Sequence, residues 1–328
     1  MNIMKILVTR AWPKAAEDRL TQAGLGDVSL RHPDSAMSHD EWMAAADTFD
    51  VIMPTVSDKI PADFYAAAKG KLKIFANYGV GFNHIDIDSA AANDIAVTNT
   101  PDVLTDCTAD LAMGLLFAAA RRIGEGEREV RAGNWAGWRP THMIGKKVTG
   151  ATLGIIGFGR IGQAMARRAH NGFGMRVVFQ DAWQVPDDIK AANGNAQQLG
   201  SMAEVAAQSD FLSLHCPGGA DTYKMINADV FDALKTGAIL VNSARGDVVD
   251  EDALFDALDS GRLMAAGLDV YHNEPALDPR FLQYDNVVLA PHLGSATDGT
   301  REAMGFRAID NLTAFLNGTR PGDLVTPG

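Results

Sequence analysis

Thr152-Leu-Gly-Ile-Ile156 runs directly into Gly157-Phe158-Gly159-Arg160-Ile161-Gly162 and then into Gln163-Ala-Met-Ala-Arg-Arg-Ala169. A short β-forming run, a glycine-spaced turn and a helix-forming run follow one another without a gap. The glycine triplet alone says little in a chain with 32 glycines, and it also suits a strand-to-helix turn that binds nothing. The flanking strand and helix carry the reading. In that setting Gly157 makes the tight turn, Gly159 lets the backbone approach a pyrophosphate, and Gly162 lets helix and strand pack closely. The helix N-terminus offers free N–H donors and a partial positive charge.

The next strand candidate, Arg176–Gln180, ends at Asp181, nineteen positions after Gly162. A carboxylate there accepts hydrogen bonds from ribose hydroxyls and repels a 2′-phosphate. No arginine stands among Ala182, Trp183 and Gln184 to receive such a phosphate. These residues point to NAD rather than NADP.

Outward from this unit, short β-rich runs alternate with helical stretches along nearly the whole chain. One series of strand candidates is Lys5–Thr9, Val51–Pro54, Ile74–Asn77 and Ala96–Thr98. The second is Thr152–Ile156, Arg176–Gln180, Phe211–His215, Ala238–Asn242, Met264–Asp269 and Val287–Ala290. Several are continuous apolar runs, as in strands covered by helices on both faces. The alternation predicts an α/β fold of two doubly wound parallel-sheet domains. The join falls near Thr100-Pro101, because proline disfavours helix at the residue before it. Asp102 to Ile123 reads as one helix, Gly133 to Pro140 as an exposed loop, and Arg301 to Leu316 as a final helix packing back on the first domain.

At 328 residues the chain has room for about two domains. Its net charge of −12 argues against nucleic-acid or anionic-membrane partners, while a local arginine can still attract a small anion. Two cysteines, Cys107 and Cys216, are too few for a disulfide framework. The opening residues hold no apolar stretch of signal-peptide length, and the longest apolar run, Leu111 to Ala120, falls far short of the ~18 residues of a membrane span. The expected location is the cytoplasm.

Ligands of open α/β sheets bind beyond the carboxyl ends of strands, and three polar residues stand at successive strand exits. Ala238–Asn242 leads to Ser243-Ala244-Arg245, Met264–Asp269 leads to Val270-Tyr-His-Asn-Glu274, and Val287–Ala290 leads to Pro291-His292. Taken singly, each also suits a surface ion pair or a solvated turn. Together they suit reduction of a 2-oxo acid. Arg245 binds the substrate carboxylate and polarises the carbonyl. His292 donates the proton that the nascent alkoxide takes up, and Glu274 orients the ring and favours its protonated form. Asp269, His272 and Glu274 leave a metal site open in principle, but no Cys cluster or helical His pair accompanies them, so no metal is expected. His215-Cys216-Pro217, at another strand exit, is expected to line the adenine side of the cofactor; a reactive thiol at Cys216 lacks a partner base.

At these residues the sequence resembles the D-isomer-specific 2-hydroxyacid dehydrogenase family. The resemblance covers nearly the whole chain and runs through Asn77-Tyr-Gly-Val80-Gly81-Phe-Asn-His-Ile-Asp86, Thr100 to Asp110, the glycine turn, Asn242 to Gly246, Asp269 to Pro275 and Pro291 to Thr297. It implies a Rossmann NAD-binding domain (101–295) inserted in a flavodoxin-like substrate domain (1–100 plus 296–328), with the active site in the cleft between them. It also implies that Val80 and Gly81 offer backbone N–H groups to the substrate carboxylate, and that Thr108, Thr222, Ser243, Ala244, Asp269, His292 and Gly294 join the turn residues around NAD. A homodimer is implied as well.

Within the family, Thr100 to Asp106 and Gly133 to Pro140 are similar to the glyoxylate/hydroxypyruvate reductases. In that group the tryptophan matching Trp138 can come from the partner subunit and limit substrate size; ordinary dimer packing is the other reading of Trp138. Many of those reductases use NADPH, and Asp181 departs from them. Met53 is expected to line the side-chain pocket, which leaves bulkier oxo acids such as phenylpyruvate open. An NADH-sensing scaffold of the same fold, like the C-terminal-binding-protein corepressors, is the rival from another class.

Overall fold

A computed structural model describes residues 3–32 and 34–327. Among them are thirteen strands in chain order: β1 (Lys5–Val8), β2 (Asp27–Leu30), β3 (Val51–Met53), β4 (Ile74–Ala76), β5 (Ala96–Thr98), β6 (Thr152–Ile156), β7 (Arg176–Gln180), β8 (Gln197–Gln198), β9 (Phe211–Leu214), β10 (Ala238–Asn242), β11 (Leu263–Leu268), β12 (Val287–Leu289) and β13 (Leu324–Val325). The chain divides into two compact units. One comprises the residues up to Leu104 together with those from Ala296 onward, and the other is Thr105–Ser295.

The first unit carries a six-stranded sheet in the order β13-β5-β4-β3-β1-β2. Its five leading strands are parallel in the 2-1-3-4-5 order of flavodoxin-like sheets; β13 pairs antiparallel with β5 at the edge. Successive side chains of β1 point to opposite faces. Ile6 and Val8 enter one apolar layer, shared with Trp12, Leu20 and the Met304, Ala308, Ile309 and Leu312 stripe of the helix Asp298–Leu316. Leu7 enters the other, with Trp42, Phe64 and Phe75. Burial on both faces is why these strands read as unbroken apolar runs, and each large side chain so buried contributes about 1.5–3 kcal/mol.

The second unit holds seven parallel strands in the order β12-β11-β10-β9-β6-β7-β8. Counted from β6 this is the 3-2-1-4-5-6 Rossmann order with one further strand. The order reverses between β6 and β9, which makes the space beyond their carboxyl ends the topological switch point. Leu212 and Leu214 face one core layer, and Leu153, Ile155, Val177 and Phe179 the other.

The structure differs from the sequence reading in several places. The expected helix from Asp102 to Ile123 starts at Thr105 and stops at Ala120; Asp102 and Arg122 both have left-handed backbone, φ +71° and +54°, which a helix does not accommodate. A second helix, Ile123–Arg131, follows with no buried residue. Strands β2, β8 and β13 were not expected, and β13 departs from an all-parallel sheet. No helix of the described residues is long and apolar enough to cross a membrane.

Candidate active site

The glycine turn between β6 and the helix Arg160–Phe173 divides three tasks among its glycines. Gly157 has φ +87°, and a Cβ there would lie 2.6 Å from the Cys216 backbone nitrogen. A Cβ on Gly162 would lie 2.3 Å from the Gly157 carbonyl oxygen, so only glycine allows the helix this close to the strand. Gly159, at the helix N-cap, would place a Cβ with nothing within 4 Å. The middle glycine therefore opens backbone to space from which a ligand can approach, directly before Arg160 and Ile161 in the first helical turn. Phe158 points the other way, into the core, stacked on Phe179 at 3.8 Å.

Asp181, just past β7, accepts from the Phe158 N–H at 2.6 Å and the Trp183 N–H at 3.1 Å. These two donors hold the carboxylate against the glycine turn. Beyond β9, His215 sets Nε2 2.9 Å from Ser213 Oγ, while its buried Nδ1 has no partner among the described residues. Burial pushes the pKa of His215 down to about 4 and that of the Cys216 thiol up to about 11. The imidazole is neutral and the thiol protonated at neutral pH, so Cys216 is not a reactive thiolate. The Pro217 carbonyl accepts from Thr222 Oγ1 at 2.8 Å.

Beyond β10 the chain turns sharply through Ser243, Ala244 and Arg245. Asn242 brackets that turn: its Oδ1 accepts from the Ala244 N–H at 3.0 Å and its Nδ2 donates to the Arg245 carbonyl at 2.9 Å. Arg245 donates from Nη1 to the Ala244 carbonyl at 2.6 Å. Its other guanidinium N–H groups meet no acceptor among the described residues. Burial lowers the pKa of Arg245, and the charges of Glu274 and Asp247 act against that. Gly246 carries the turn past the neighbouring loop so closely that a Cβ would lie 1.9 Å from the Tyr271 carbonyl carbon. The Arg245 turn and the Glu274 loop are thus in backbone contact.

Glu274 accepts from the Tyr271 N–H at 2.9 Å through Oε1 and faces His292 Nδ1 at 2.7 Å through Oε2. Burial acts to raise its pKa, but the His292 hydrogen bond and charge, the Tyr271 N–H and Arg245 outweigh it and hold the carboxyl below its ordinary range. An ionised carboxylate only accepts, so Nδ1 carries hydrogen and Nε2 is the nitrogen left to exchange a proton. Nε2 has no protein partner among the described residues. His292 has φ +57°, fixed by its N–H to the Asp269 carbonyl at 3.0 Å. Asp269, 1% exposed, spends its carboxylate on the Leu293 and Gly294 N–H groups at 2.6 and 2.8 Å; burial raises its pKa. Thr108 Oγ1 donates to the Gly294 carbonyl at 3.0 Å. Asp269, His272 and Glu274 do not assemble a metal site, and no such cluster occurs among the described residues.

In the first unit, Val80 and Gly81 follow β4 in a braced loop. Asn77 Nδ2 donates to the Gly79 and Gly81 carbonyls at 3.0 Å each, Asn99 Nδ2 to the Val80 carbonyl at 2.9 Å, and His84 Nε2 lies 3.0 Å from Asn77 Oδ1. The Val80 and Gly81 N–H groups have no acceptor among the described residues. Met53 is fully buried in the core with Ile6 and Val8, a packing side chain rather than a surface one. Trp138 is 82% exposed.

The family model for the D-isomer specific 2-hydroxyacid dehydrogenase NAD-binding domain matches residues 113–294. The chain belongs to this family. It is 42% identical to the glyoxylate reductase of Thermococcus onnurineus, over 98% of this chain and 95% of that one. It is 37% identical to the glycerate dehydrogenase of Hyphomicrobium methylovorum, over 97% and 98%. Among solved structures it is similar to an NADPH-dependent glyoxylate/hydroxypyruvate reductase of Sinorhizobium meliloti in complex with NADP and malonate, at a TM-score of 0.85 and 34% identity, covering 99% of this chain and 97% of that one. The chain is accordingly a nicotinamide-dinucleotide-linked oxidoreductase of small 2-hydroxy and 2-oxo acids.

Several residues that brace these loops escaped the sequence reading as individuals. Asn242, Asn77 and Asn99 brace turns through their side-chain amides, and their signal was an asparagine at or just past a strand end. Asp247 accepts from the Gly219 N–H at 3.2 Å and adds its charge beside Arg245; nothing in its spacing separates it from an ordinary acidic surface residue.

Proposed function

We propose that the chain reduces glyoxylate or hydroxypyruvate with NADH, using Arg245, Glu274 and His292. The observation that carries this reading is the His292–Glu274 pair at 2.7 Å, beside an arginine whose remaining donors are unspent. Gly159, Arg160 and Ile161 would hold the pyrophosphate of a nicotinamide dinucleotide, which would supply the hydride. Arg245 binds the substrate carboxylate with its free N–H groups and draws on the carbonyl oxygen. Val80 and Gly81 offer two adjacent N–H donors to the same carboxylate. As the carbonyl carbon is reduced, the oxygen takes the proton from His292 Nε2, and Glu274 steadies the positive ring from Nδ1.

NADH is proposed over NADPH because Asp181 stands, ordered by two backbone N–H groups, where a 2′-phosphate would bring further negative charge. Thr108, Thr222, Ser243, Ala244, Asp269 and Gly294, with the His215-Cys216-Pro217 wall, complete the proposed cofactor site. A homodimer is supported by Ile123, Val130, Trp135, Trp138 and Ile144, which are 55%, 60%, 57%, 82% and 63% exposed within one stretch of chain; a second copy would cover such apolar surface. The proposed compartment is the cytoplasm, where two free cysteines stay reduced.

Turnover of a panel of 2-oxo acids with NADH and with NADPH tests this function. Saturable turnover of glyoxylate or hydroxypyruvate with preference for NADH supports it. Faster turnover of phenylpyruvate contradicts the substrate, and NADH binding without turnover of any acid favours the scaffold reading.

A further inference from the structure

Asp58 is a carboxylate 1% exposed in the first unit, and no step above uses it. Oδ2 accepts from Thr9 Oγ1 at 2.5 Å, the Thr55 N–H at 2.8 Å and Thr55 Oγ1 at 3.3 Å, while Oδ1 is buried without a partner among the described residues. Its donors are two hydroxyls and one backbone N–H. Burying a carboxylate in such company is costly, and an apolar side chain would fill the space without that cost. The position of its contacts accounts for the acid.

Thr9 immediately follows β1 and Thr55 follows β3, so the carboxylate ties the turn Thr55–Asp58 to the carboxyl ends of two neighbouring strands. That turn in turn holds the loop of the free N–H donors. The Tyr78 N–H donates to the Pro54 carbonyl at 2.8 Å, Thr55 and Tyr78 form an isolated parallel bridge, and a Cβ on Gly79 would lie 2.7 Å from Val56 Cγ1. The turn is therefore pressed against the residue that immediately precedes Val80 and Gly81.

We propose that Asp58 is a positioning residue for the substrate carboxylate: it clamps the Thr55–Asp58 turn onto β1, and the turn sets the direction of the Val80 and Gly81 N–H groups. This rests on the reading that those N–H groups bind the oxo acid. A donor pair aimed at a carboxylate loses most of its value when its direction drifts. The effect belongs in KM for the oxo acid and spares KM for NADH.

The test compares steady-state kinetics of Asp58→Ala, Asp58→Asn and Thr9→Val with the parent enzyme, using glyoxylate and NADH. Asp58→Ala should raise KM for glyoxylate about tenfold or more with KM for NADH unchanged. Asp58→Asn keeps an acceptor at the Oδ2 position and should restore KM for glyoxylate. Parent-like KM in Asp58→Ala, or an equal rise in both KM values, overturns the proposal. If Asp58→Ala does not fold, Thr9→Val decides, since it removes one donor at nearly constant volume; an unchanged KM for glyoxylate there overturns the proposal equally. Val80→Pro, which deletes one N–H, separates the two levels. If it leaves KM for glyoxylate unchanged, the carboxylate-binding reading fails, and if it raises KM while the Asp58 and Thr9 variants do not, the Asp58 proposal alone fails.

Discussion

Glu274 Oε2 stands 2.7 Å from His292 Nδ1, and that contact decides which nitrogen of the imidazole does the chemistry. A carboxylate held ionised by the histidine, the Tyr271 N–H and Arg245 fixes hydrogen on Nδ1 and leaves Nε2 as the nitrogen able to exchange a proton.

Glu274→Gln removes the charge and keeps the shape. It should lower kcat by about 10²-fold while leaving KM for NADH near the parent value. Because the folded-state pKa of Glu274 is lowered, its stabilisation is complete above the unfolded-state value and is lost as pH falls through the folded one. The difference in Tm between parent and variant should therefore be steady above about pH 5 and shrink in stronger acid. A Tm difference that grows on acidification would show the opposite shift.

Arg245→Lys tests whether the guanidinium acts as a fork. Lysine keeps the charge and loses the paired donors, so KM for the oxo acid should rise about tenfold or more and kcat should fall with it. If steady-state kinetics show KM for the oxo acid unmoved, another group binds the carboxylate.

Much of this site was legible because each residue follows a strand whose apolar run is unmistakable. The runs at β6, β7, β10 and β11 are buried on both faces, and so are unambiguous in sequence. β2 escaped because Asp27–Leu30 alternates exposed and half-buried positions at a sheet edge, and β8 and β13 are two residues each, too short for any period to show. The Ile123–Arg131 helix has two glycines, only Ile123 and Val130 as large apolar residues, and buries nothing, so no core-facing stripe marks it. At Met53 the sequence is ambiguous for a physical reason as well: a methionine at a strand end suits a pocket wall and a core equally, and in the structure it packs with Ile6 and Val8.

Asp181→Ala removes the carboxylate beside the glycine turn. The ratio of kcat/KM for NADH to that for NADPH should fall about tenfold or more, mostly through better use of NADPH as the repulsion disappears. Retention of the full ratio would move the selectivity elsewhere, with exposed Trp183 as the next residue to replace.

His215 offers a pH signature of the fold. Its pKa is pushed down to about 4 by burial, so it contributes stability above its unfolded value and loses it as pH falls from 6.5 towards 4. Thermal denaturation should show a fall in Tm across that window. His215→Gln should flatten it, and an equally steep fall in the variant would assign the acid sensitivity to other groups.

The most direct test of the central claim is kcat of His292→Asn, measured beside NADH affinity by fluorescence titration. Asparagine tolerates the left-handed backbone at this position but cannot shuttle a proton. The account predicts a loss in kcat of about 10²- to 10⁴-fold with NADH affinity retained. Parent-like kcat in the folded variant would contradict it, because the proton would then reach the alkoxide by another route.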